Sequence, residues 1–244
     1  MAIAGFDPSL TNFGWVILDE NKPVLGSVLD MGTFKTDTGD GLRVQRMIMQ
    51  RERVRNLLEK WKVEFVSMEA PYLMDFSTEI LFALNQFVHE VFLNMGTYVL
   101  YIQPQSLKKY AIPSMNPNDV GKPHMTRQAK TELGLQRKRI NEHVADAFFA
   151  GKLGHRFYNS VMNGNLSEDE LSEWERDFMY GKHLYTRGAK KGITEYTGVT
   201  FKENDQFFDY KKHKRNTETI IKEIKNGGEK KGARTAEKVE DPHP

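Results

Sequence analysis

Short apolar runs alternate with longer amphipathic stretches over about the first 150 residues of the chain. Apolar runs bounded by turn residues are typical of β-strands. We predict strands at 2–7, 13–19, 24–34, 64–71 and 97–104. The first two flank the short polar turn PSLTN, which favours an antiparallel hairpin, and Pro104 is expected to close the last strand.

Amphipathic stretches between and after these strands predict helices. Their apolar residues recur at helical spacing, and we expect helices at 41–61, 75–94, 105–111, 125–134 and 139–153. A loop rich in Pro, Asn and Gly is expected over 112–123. This order predicts a mixed α/β domain, in which an antiparallel hairpin sheet is extended by parallel βα units and flanked by helices.

The character of the sequence changes after residue 153. A capping box from Ser167 to Glu170 predicts a helix, and the basic clusters RGAKKG and YKKHKR follow it. From residue 227 onwards apolar periodicity is absent, and we expect disorder there. We therefore predict one domain at 1–153, a partly helical extension with basic clusters at 154–226, and a disordered tail at 227–244.

Composition excludes several kinds of site. The 244 residues include no cysteine, which excludes a thiolate zinc site and a cysteine nucleophile and suits a reducing cytosol. A net charge of +2 favours neither presence nor absence of a nucleic-acid partner. The N-terminus lacks a signal-peptide pattern, and the apolar stretch at 80–93 is too short and too interrupted to cross a bilayer. We expect a cytoplasmic protein without a membrane partner.

Acidic residues stand at two predicted strand ends and on one predicted helix. Asp7 ends the first strand, Glu69 ends a later one, and His143 and Asp146 share a helix face because they are three residues apart. Carboxylates packed together repel one another, so a cation is needed to neutralise them. Oxygen ligands favour Mg²⁺, with Mn²⁺ able to substitute. Two such ions ~3.5–4 Å apart can promote hydrolysis of a phosphodiester.

Each of these residues also has an ordinary structural interpretation. Asp-Pro-Ser is good turn chemistry, so Asp7 can simply begin a turn. Glu69 can be an exposed strand end, and His143 taken alone is better explained as a surface helix residue than as a ligand. The metal-site hypothesis depends on the four positions occurring together.

Four segments, in this order, resemble the RuvC family of Holliday junction resolvases, within the ribonuclease-H-like superfamily. They are GFDPSLTNFGW, VSMEAPYL, the region from IQPQSLKKY to GKPHMTRQAKTELG, and HVADAFFAG, and they cover about residues 1–153. The resemblance implies a ribonuclease-H-like mixed sheet. It places the family's four metal-site positions on Asp7, Glu69, His143 and Asp146, and family members carry either Asp or His at the position of His143.

Two features depart from the family pattern. The turn after Asp7 is shorter than usual and carries Ser9 where glycine is common. The C-terminal ~90 residues have no counterpart in the compact cellular enzymes of the family. The resemblance therefore gives no expectation for those residues. The added length suggests a phage-encoded protein, so the expected location is the cytosol of a bacterium or of a phage-infected cell.

The resemblance also implies contacts with DNA bases. Tyr72 stands where the family has an aromatic residue that reaches the base pairs of the junction, and Phe76 is a second, weaker candidate. Stacking of an aromatic ring on an unpaired base is worth ~1–3 kcal/mol. The structural alternative is that Tyr72 packs under a loop.

Four basic residues complete the implied DNA interface. Lys108 and Lys122 match family positions that face the cleaved strand, where a cation offsets charge that grows in the transition state. Lys109 and Arg127 are expected to contact the flanking DNA backbone. Solvated surface charge is the alternative for all four.

The resemblance implies a two-fold homodimer through the helix at 75–94. This helix carries apolar residues on two sides, and a second apolar side suggests a partner surface. A symmetric dimer would supply two sites to a four-way junction. Deep burial within one chain is the alternative. The basic and aromatic residues of the extension fit an added DNA-binding or stabilising arm, and a plain solvated segment fits them equally.

The leading hypothesis is a metal-dependent endodeoxyribonuclease that resolves Holliday junctions or related branched DNA by paired symmetric nicks, leaving 5′-phosphates. A ribonuclease H or a DDE-type transposase would share the fold and acids, but the first gives Tyr72 no purpose and the second needs an end-binding domain. The strand-turn-strand motif DPSLTNFG is also similar to the phosphate-binding hairpin of actin-like sugar kinases, but such a kinase would need a second lobe, which the sequence does not indicate. A non-catalytic junction-binding protein would have no need of clustered acids beside a polyanion.

Overall fold

The computed structural model describes residues 1–23, 26–70, 76–134, 140–163 and 165–180, and four short strands at 182–184, 194–196, 200–203 and 206–209. None of the helices in these ranges is long and apolar enough to cross a membrane. Residues 71–75, which include Tyr72, lie outside the described part of the chain.

The sheet begins with the predicted antiparallel hairpin. Strand β1 (Ala2–Asp7) pairs with β2 (Asn12–Asp19), so that Asp7 lies opposite Gly14. Strand β3 (Val28–Lys35) pairs antiparallel with β2 and begins four residues later than predicted. Both β1 and β2 are buried along most of their length, and this explains their nearly continuous apolar sequences.

The parallel part of the sheet follows two helices. Helix α1 (Arg43–Trp61) leads into β4 (Val63–Glu69), which pairs parallel with β1. Helix α2 (Phe76–Met95) leads into β5 (Tyr98–Ile102), which pairs parallel with β4. The predicted combination of an antiparallel hairpin with parallel βα units is therefore confirmed.

Several element boundaries differ from the prediction. Strand β5 ends at Ile102, and Pro104 begins helix α3 (Pro104–Ala111) instead of closing the strand, because proline fits the first turn of a helix without losing a hydrogen bond. Helix α4 (Lys122–Leu133) takes in Lys122, which the prediction left in a loop.

Helix α5 (Glu142–Phe157) begins at a side-chain cap and continues past the predicted end at residue 153. The side-chain oxygen of Asn141 accepts a hydrogen bond from the amide of Val144 at 2.9 Å and thereby caps the helix. A short π-helical turn (Tyr158–Met162) and helix α6 (Glu173–Tyr180) follow.

The extension contains strands that the sequence did not predict. Strand β6 (Lys182–Leu184) pairs with β7 (Thr194–Tyr196), while β8 (Thr200–Glu203) pairs antiparallel with β5 and β9 (Gln206–Asp209) with β8. In the described part of the chain, seven strands form one sheet in the order β3-β2-β1-β4-β5-β8-β9. Strands of three or four residues carry too little periodicity to be recognised among lysines and glycines.

Apolar cores fill both faces of the sheet. One core packs α3, α4, α5 and α6 against the sheet, and the other packs α1 and α2. Successive side chains of β1 point to opposite faces of the sheet. Ile3 therefore packs in the first core, whereas Ala4 and Phe6 pack in the second. Each fully buried phenylalanine contributes about 1.5–3 kcal/mol through burial of apolar surface.

Helix α5 lies very close to the hairpin. A β-carbon at Gly5 would collide with the backbone carbonyl of Ala147, and one at Gly14 would collide with that of His143. Only glycine therefore fits at these two strand positions. The close approach places the first turn of α5 directly beside the end of β1.

Candidate active site

Three carboxylates converge where β1, β4 and α5 meet. Asp7 and Glu69 are the last residues of β1 and β4, and because these strands are parallel neighbours their carboxyl ends lie at the same edge of the sheet. Asp146 reaches them from the second turn of α5. One oxygen atom from each of the three side chains lies within 4.8 Å of the other two. We name these three residues the carboxylate cluster.

His143 lies beside the carboxylate cluster and contacts one of its members. Its Nδ1 atom is 2.7 Å from Oδ2 of Asp7, and its Nε2 atom is 3.4 Å from Oε1 of Glu142. The hydrogen bond to Asp7 raises the pKa of His143, and burial opposes that rise. With Nδ1–H as the donor, the imidazole fixes the orientation of the Asp7 carboxylate.

Burial raises the pKa of every member of the carboxylate cluster. The pKa of Glu69 rises to about 8, because the group is desolvated and because Asp7 and Asp146 repel its charge. The pKa of Asp146 rises to about 7, through burial first and then through repulsion by Asp7. Burial also raises the pKa of Asp7, against the hydrogen bond from His143. The three groups therefore need protons or a cation to share this space.

The donor set of the carboxylate cluster fits a hard divalent cation. Each of its three side chains offers a carboxylate oxygen, which is the ligand type that Mg²⁺ and Mn²⁺ prefer. The mutual repulsion that raises the pKa of Glu69 and Asp146 is the repulsion that a bound cation would remove. The residues that would hold the ion are Asp7, Glu69 and Asp146.

Two of the predicted lysines line the same cleft as the carboxylate cluster. This cleft has a volume of about 440 Å³, and Lys108 and Lys122 both contribute to its wall. The Nζ atom of Lys122 donates a hydrogen bond to Oε1 of Glu142 at 2.9 Å, and this bond raises the pKa of Lys122. The structure thus places both lysines at the wall of the cleft that holds the acids, and their contact with the cleaved strand stays a prediction.

Glu142 is a site residue that the sequence did not reveal. It pairs with Lys122 and also approaches His143, and the lysine lowers its pKa. An acid in the first turn of a helix is favoured by the helix dipole whatever its role, so its position carried no functional signal. Its contacts with Lys122 and His143 depend on the packing of α4 beside α5, which local sequence does not show.

The remaining predicted DNA contacts are placed less centrally. The Nζ atom of Lys109 donates a hydrogen bond to the carbonyl of Pro113 at 2.6 Å. Arg127 lines a separate groove beside the cleft. Tyr72 and the side chain of Phe76 lie outside the described residues. The base contacts implied for these two aromatic residues therefore stay predictions.

The predicted dimer helix is buried on one side and exposed on another. Leu84, Val88 and Phe92 of α2 lie fully in the core beneath the sheet. Phe82 and Leu93 are 44% and 37% exposed. Burial within the chain thus explains one apolar side of α2, and a partner surface is still a prediction for the other.

Sequence comparison links part of the chain to one curated protein. No protein-family model matches the chain. Over 82 residues the chain is 35% identical to the crossover junction endodeoxyribonuclease RuvC of Prochlorococcus marinus (strain MIT 9211). The matched segment covers 33% of this chain and 49% of that protein, so the chain spans about half the length of the curated relative it matches.

Structural comparison extends this likeness to about two thirds of the chain. The structure of Thermus thermophilus RuvC in complex with a Holliday junction substrate aligns with a TM-score of 0.52 at 23% identity, over 66% of this chain and 95% of that protein. The chain has the RuvC fold. A second structure of Thermus thermophilus RuvC gives a TM-score of 0.53 at 22% identity, over 66% of this chain and 96% of the other. The RuvC fold thus leaves about one third of the chain without a counterpart.

Proposed function

We propose that the protein is a metal-dependent endodeoxyribonuclease that resolves Holliday junctions or related branched DNA by paired symmetric nicks. The observation that carries this proposal is the carboxylate cluster in a cleft walled by Lys108 and Lys122. Clustered acids repel a polyanion, so a protein that only bound DNA would gain nothing from them. Likeness to RuvC in sequence and fold supports the choice of branched DNA as the substrate.

The side chains of the cleft divide the work of hydrolysis. Asp7, Glu69 and Asp146 would hold Mg²⁺, for which Mn²⁺ can substitute, and the metal would lower the pKa of a bound water and neutralise phosphate charge. His143 holds the Asp7 carboxylate in place through its hydrogen bond, and a direct bond from His143 to the metal is the alternative role. The reaction leaves a 5′-phosphate and a 3′-hydroxyl.

The lysines act on the phosphate that is cut. Lys108 and Lys122 stand at the wall of the cleft, where an ammonium group offsets the negative charge that grows on the phosphoryl oxygens in the transition state. In the free protein Lys122 pairs with Glu142. When DNA binds, a phosphate would replace Glu142 as the partner of Lys122. Both ions of this pair are partly exposed, so the exchange costs little.

Two further elements of the proposal concern assembly. A two-fold homodimer through α2 would present two clefts to the two strands that must be cut symmetrically. Tyr72, with Phe76 as a second candidate, would stack on bases at the branch point. Such a protein would act in the cytosol of a bacterium or of a phage-infected cell.

Cleavage of defined substrates tests the proposal. An end-labelled synthetic four-way junction, a linear duplex of the same sequence and an RNA–DNA hybrid are each incubated with the full chain and Mg²⁺ or Mn²⁺, with EDTA as the metal-free control. Paired nicks near the branch point, only in the junction and only with metal, are expected. Cutting of the RNA strand instead would establish a ribonuclease, and tight junction binding without cutting would establish a binding protein.

A further inference from the structure

A second groove adjoins the cleft that holds the carboxylate cluster. Its volume is about 780 Å³, and its walls come from the start of β2, the end of β3, helix α4 and the start of α5. Lys122 and His143 line both the groove and the cleft. A chain of phosphates that leaves the cleft on this side would therefore enter the groove directly.

The charge of the groove suits a polyanion. Four cations line it, Lys35, Lys122, Arg127 and Lys130, against the single carboxylate of Glu142. Among the described residues, no carboxylate lies within ion-pair distance of Lys35, Arg127 or Lys130. Three cationic groups therefore face the same space without an ion-pair partner in the described part of the chain.

The cations of α4 are arranged along one side of the helix. Residues four apart lie on the same side of a helix, and this side of α4 carries Lys122, the uncharged Thr126 and Lys130, with Arg127 next to them. Eight residues of helix measure ~12 Å at 1.5 Å per residue. This stripe is therefore long enough to run beside more than one phosphate of a DNA strand. Lys35 faces it from the end of β3.

The floor of the groove is already formed in the free protein. The Nδ2 atom of Asn141 donates a hydrogen bond to Oγ1 of Thr33 in β3 at 2.9 Å, while the Oδ1 atom of Asn141 caps α5. One side chain that lines the groove thus ties β3 to α5. No Phe, Tyr or Trp side chain lines the groove among the described residues, so base stacking has no platform there.

We propose that this groove carries the DNA backbone away from the cleaved phosphate, and that Lys35 and Lys130 join Arg127 as its phosphate contacts. The inference rests on the proposed function and names the path of the flanking strand. Contacts to phosphates alone do not read sequence, so binding in the groove is independent of sequence and falls as salt rises.

Removal of the two newly assigned cations tests the path. The full chain with Lys35→Gln and Lys130→Gln is titrated in EDTA against a labelled four-way junction and a labelled linear duplex, at salt concentrations of about 50–200 mM. The slope of log K against log salt concentration is negative, and each lost phosphate contact makes it shallower by ~0.9. The double variant is therefore expected to show a slope that is shallower by about 2. Affinity at the lowest salt falls on the order of tenfold for both substrates.

Matched variants separate a local effect from general charge. The double variant Lys22→Gln and Lys60→Gln removes the same charge at the opposite end of the sheet, and it is expected to keep the wild-type slope. Lys35→Arg with Lys130→Arg keeps both charges and is expected to restore affinity. Thermal unfolding of all variants shows that each one folds.

Two results would overturn the proposed path. The first is a wild-type slope in the Lys35 and Lys130 glutamine variant; the second is an equal loss in the Lys22 and Lys60 control. Cleavage by the wild type is assayed in parallel with Mg²⁺. If the wild type cuts junctions but the glutamine variant keeps the wild-type slope, only the proposed path through the groove is refuted. If the wild type binds junctions through these lysines but does not cut them, only the proposed nuclease function is refuted.

Discussion

His143 and Asp7 meet at the end of β1, where 2.7 Å separates Nδ1 of the imidazole from Oδ2 of the carboxylate. The imidazole can donate one hydrogen bond to Asp7 and leave the other carboxylate oxygen free for a cation. The acid that we propose as a metal ligand is thus held from two directions, by its strand and by this histidine. The contact explains why an imidazole belongs beside the carboxylate cluster even if it does not touch the ion.

Replacement of His143 by alanine is expected to weaken Mg²⁺ or Mn²⁺ binding by ~10–100-fold, because Asp7 loses the group that orients it. Calorimetric titration of the metal into the purified protein measures this change. His124→Ala is the matched control, since Nδ1 of His124 accepts a hydrogen bond from the amide of Gly121 and touches no acid of the cluster. Equal metal affinity in wild type and His143→Ala would show that the contact does not orient a ligand.

The stability of the metal-free protein is expected to fall as pH rises from about 5 to about 8.5. The pKa values of Glu69 and Asp146, about 8 and about 7 in the folded protein, lie above their ordinary values. Across this range the folded state retains protons that the unfolded chain has released, so each pH step favours unfolding. The loss is on the order of a few kcal/mol.

Urea unfolding in EDTA at several pH values measures this slope. Saturating Mg²⁺ is expected to offset the loss at high pH, because the cation replaces the protons. The variant with Glu69→Gln and Asp146→Asn is expected to show a flatter dependence, since both titrating groups are gone. Stability that rises between pH 5 and 8.5 in the metal-free wild type would contradict the assigned charges.

At the residue scale, sequence reasoning singled out the acids, His143 and the two lysines of the cleft, but it missed Glu142 and Lys35. The order of strand ends and helix face was enough to single out Asp7, Glu69 and Asp146, because parallel strands bring their ends together. Glu142 and Lys35 were missed because a charged residue at a helix start or a strand end is common on any protein surface. Their placement depends on which elements pack together, and local sequence does not contain that information.

At the element scale, the contact between α5 and the hairpin determines where the site forms. His143 follows directly after the first residue of α5, and its backbone carbonyl rests against Gly14 of β2. Ser67 of β4 donates a hydrogen bond from its hydroxyl to the carbonyl of Ala150 at 2.7 Å. These contacts fix the height and the rotation of α5, and therefore the distance between Asp146 and the strand ends.

Gly14→Ala is expected to destabilise the protein by ~1–3 kcal/mol, because the added β-carbon forces the first turn of α5 away from β2. Denaturant unfolding measures the loss, and metal titration is expected to show weaker binding in the same variant. Gly26→Ala is the control, since a β-carbon there meets no atom within 4 Å. A Gly14→Ala protein as stable as Gly26→Ala would contradict this packing.

The sequence of α5 carries small side chains, among them Ala147 and Ala150, which allow a close approach to the sheet. They did not show that Gly5 and Gly14 complete the contact, because the register between a helix and a strand arises only in the folded chain. The same limit explains the error at Pro104. Proline ends a strand or begins a helix equally well, and the choice is made by the packing of α3 against α5.

At the scale of the whole molecule, the extension lengthens the central sheet. Strands β8 and β9 extend the sheet beyond β5, whose edge would otherwise present unpaired backbone groups. Residues 154–179 also contribute to the first core, through Phe157, Val161 and Met179 among others. The sequence signalled the change of composition after residue 153 but not these contacts.

A charge on the exposed side of α2 is expected to disrupt the proposed homodimer. Phe82→Glu places a carboxylate where an apolar side chain is 44% exposed, and it is expected to shift the protein from dimer to monomer in analytical ultracentrifugation. Leu29→Glu is the control, because Leu29 is 41% exposed on β3. A wild type that sediments as a monomer, or a Phe82→Glu variant that remains dimeric, would exclude α2 as the interface.

The most direct test of the central claim is cleavage of a labelled four-way junction by wild type and by Asp7→Asn in Mg²⁺, with junction binding measured on the same samples. Asp30→Asn, which removes an aspartate on β3 at the other end of the sheet, is the control. Paired nicks are expected with wild type and Asp30→Asn, and binding without nicks is expected with Asp7→Asn. Nicking by Asp7→Asn at the wild-type rate would show that the carboxylate cluster is not the site of hydrolysis.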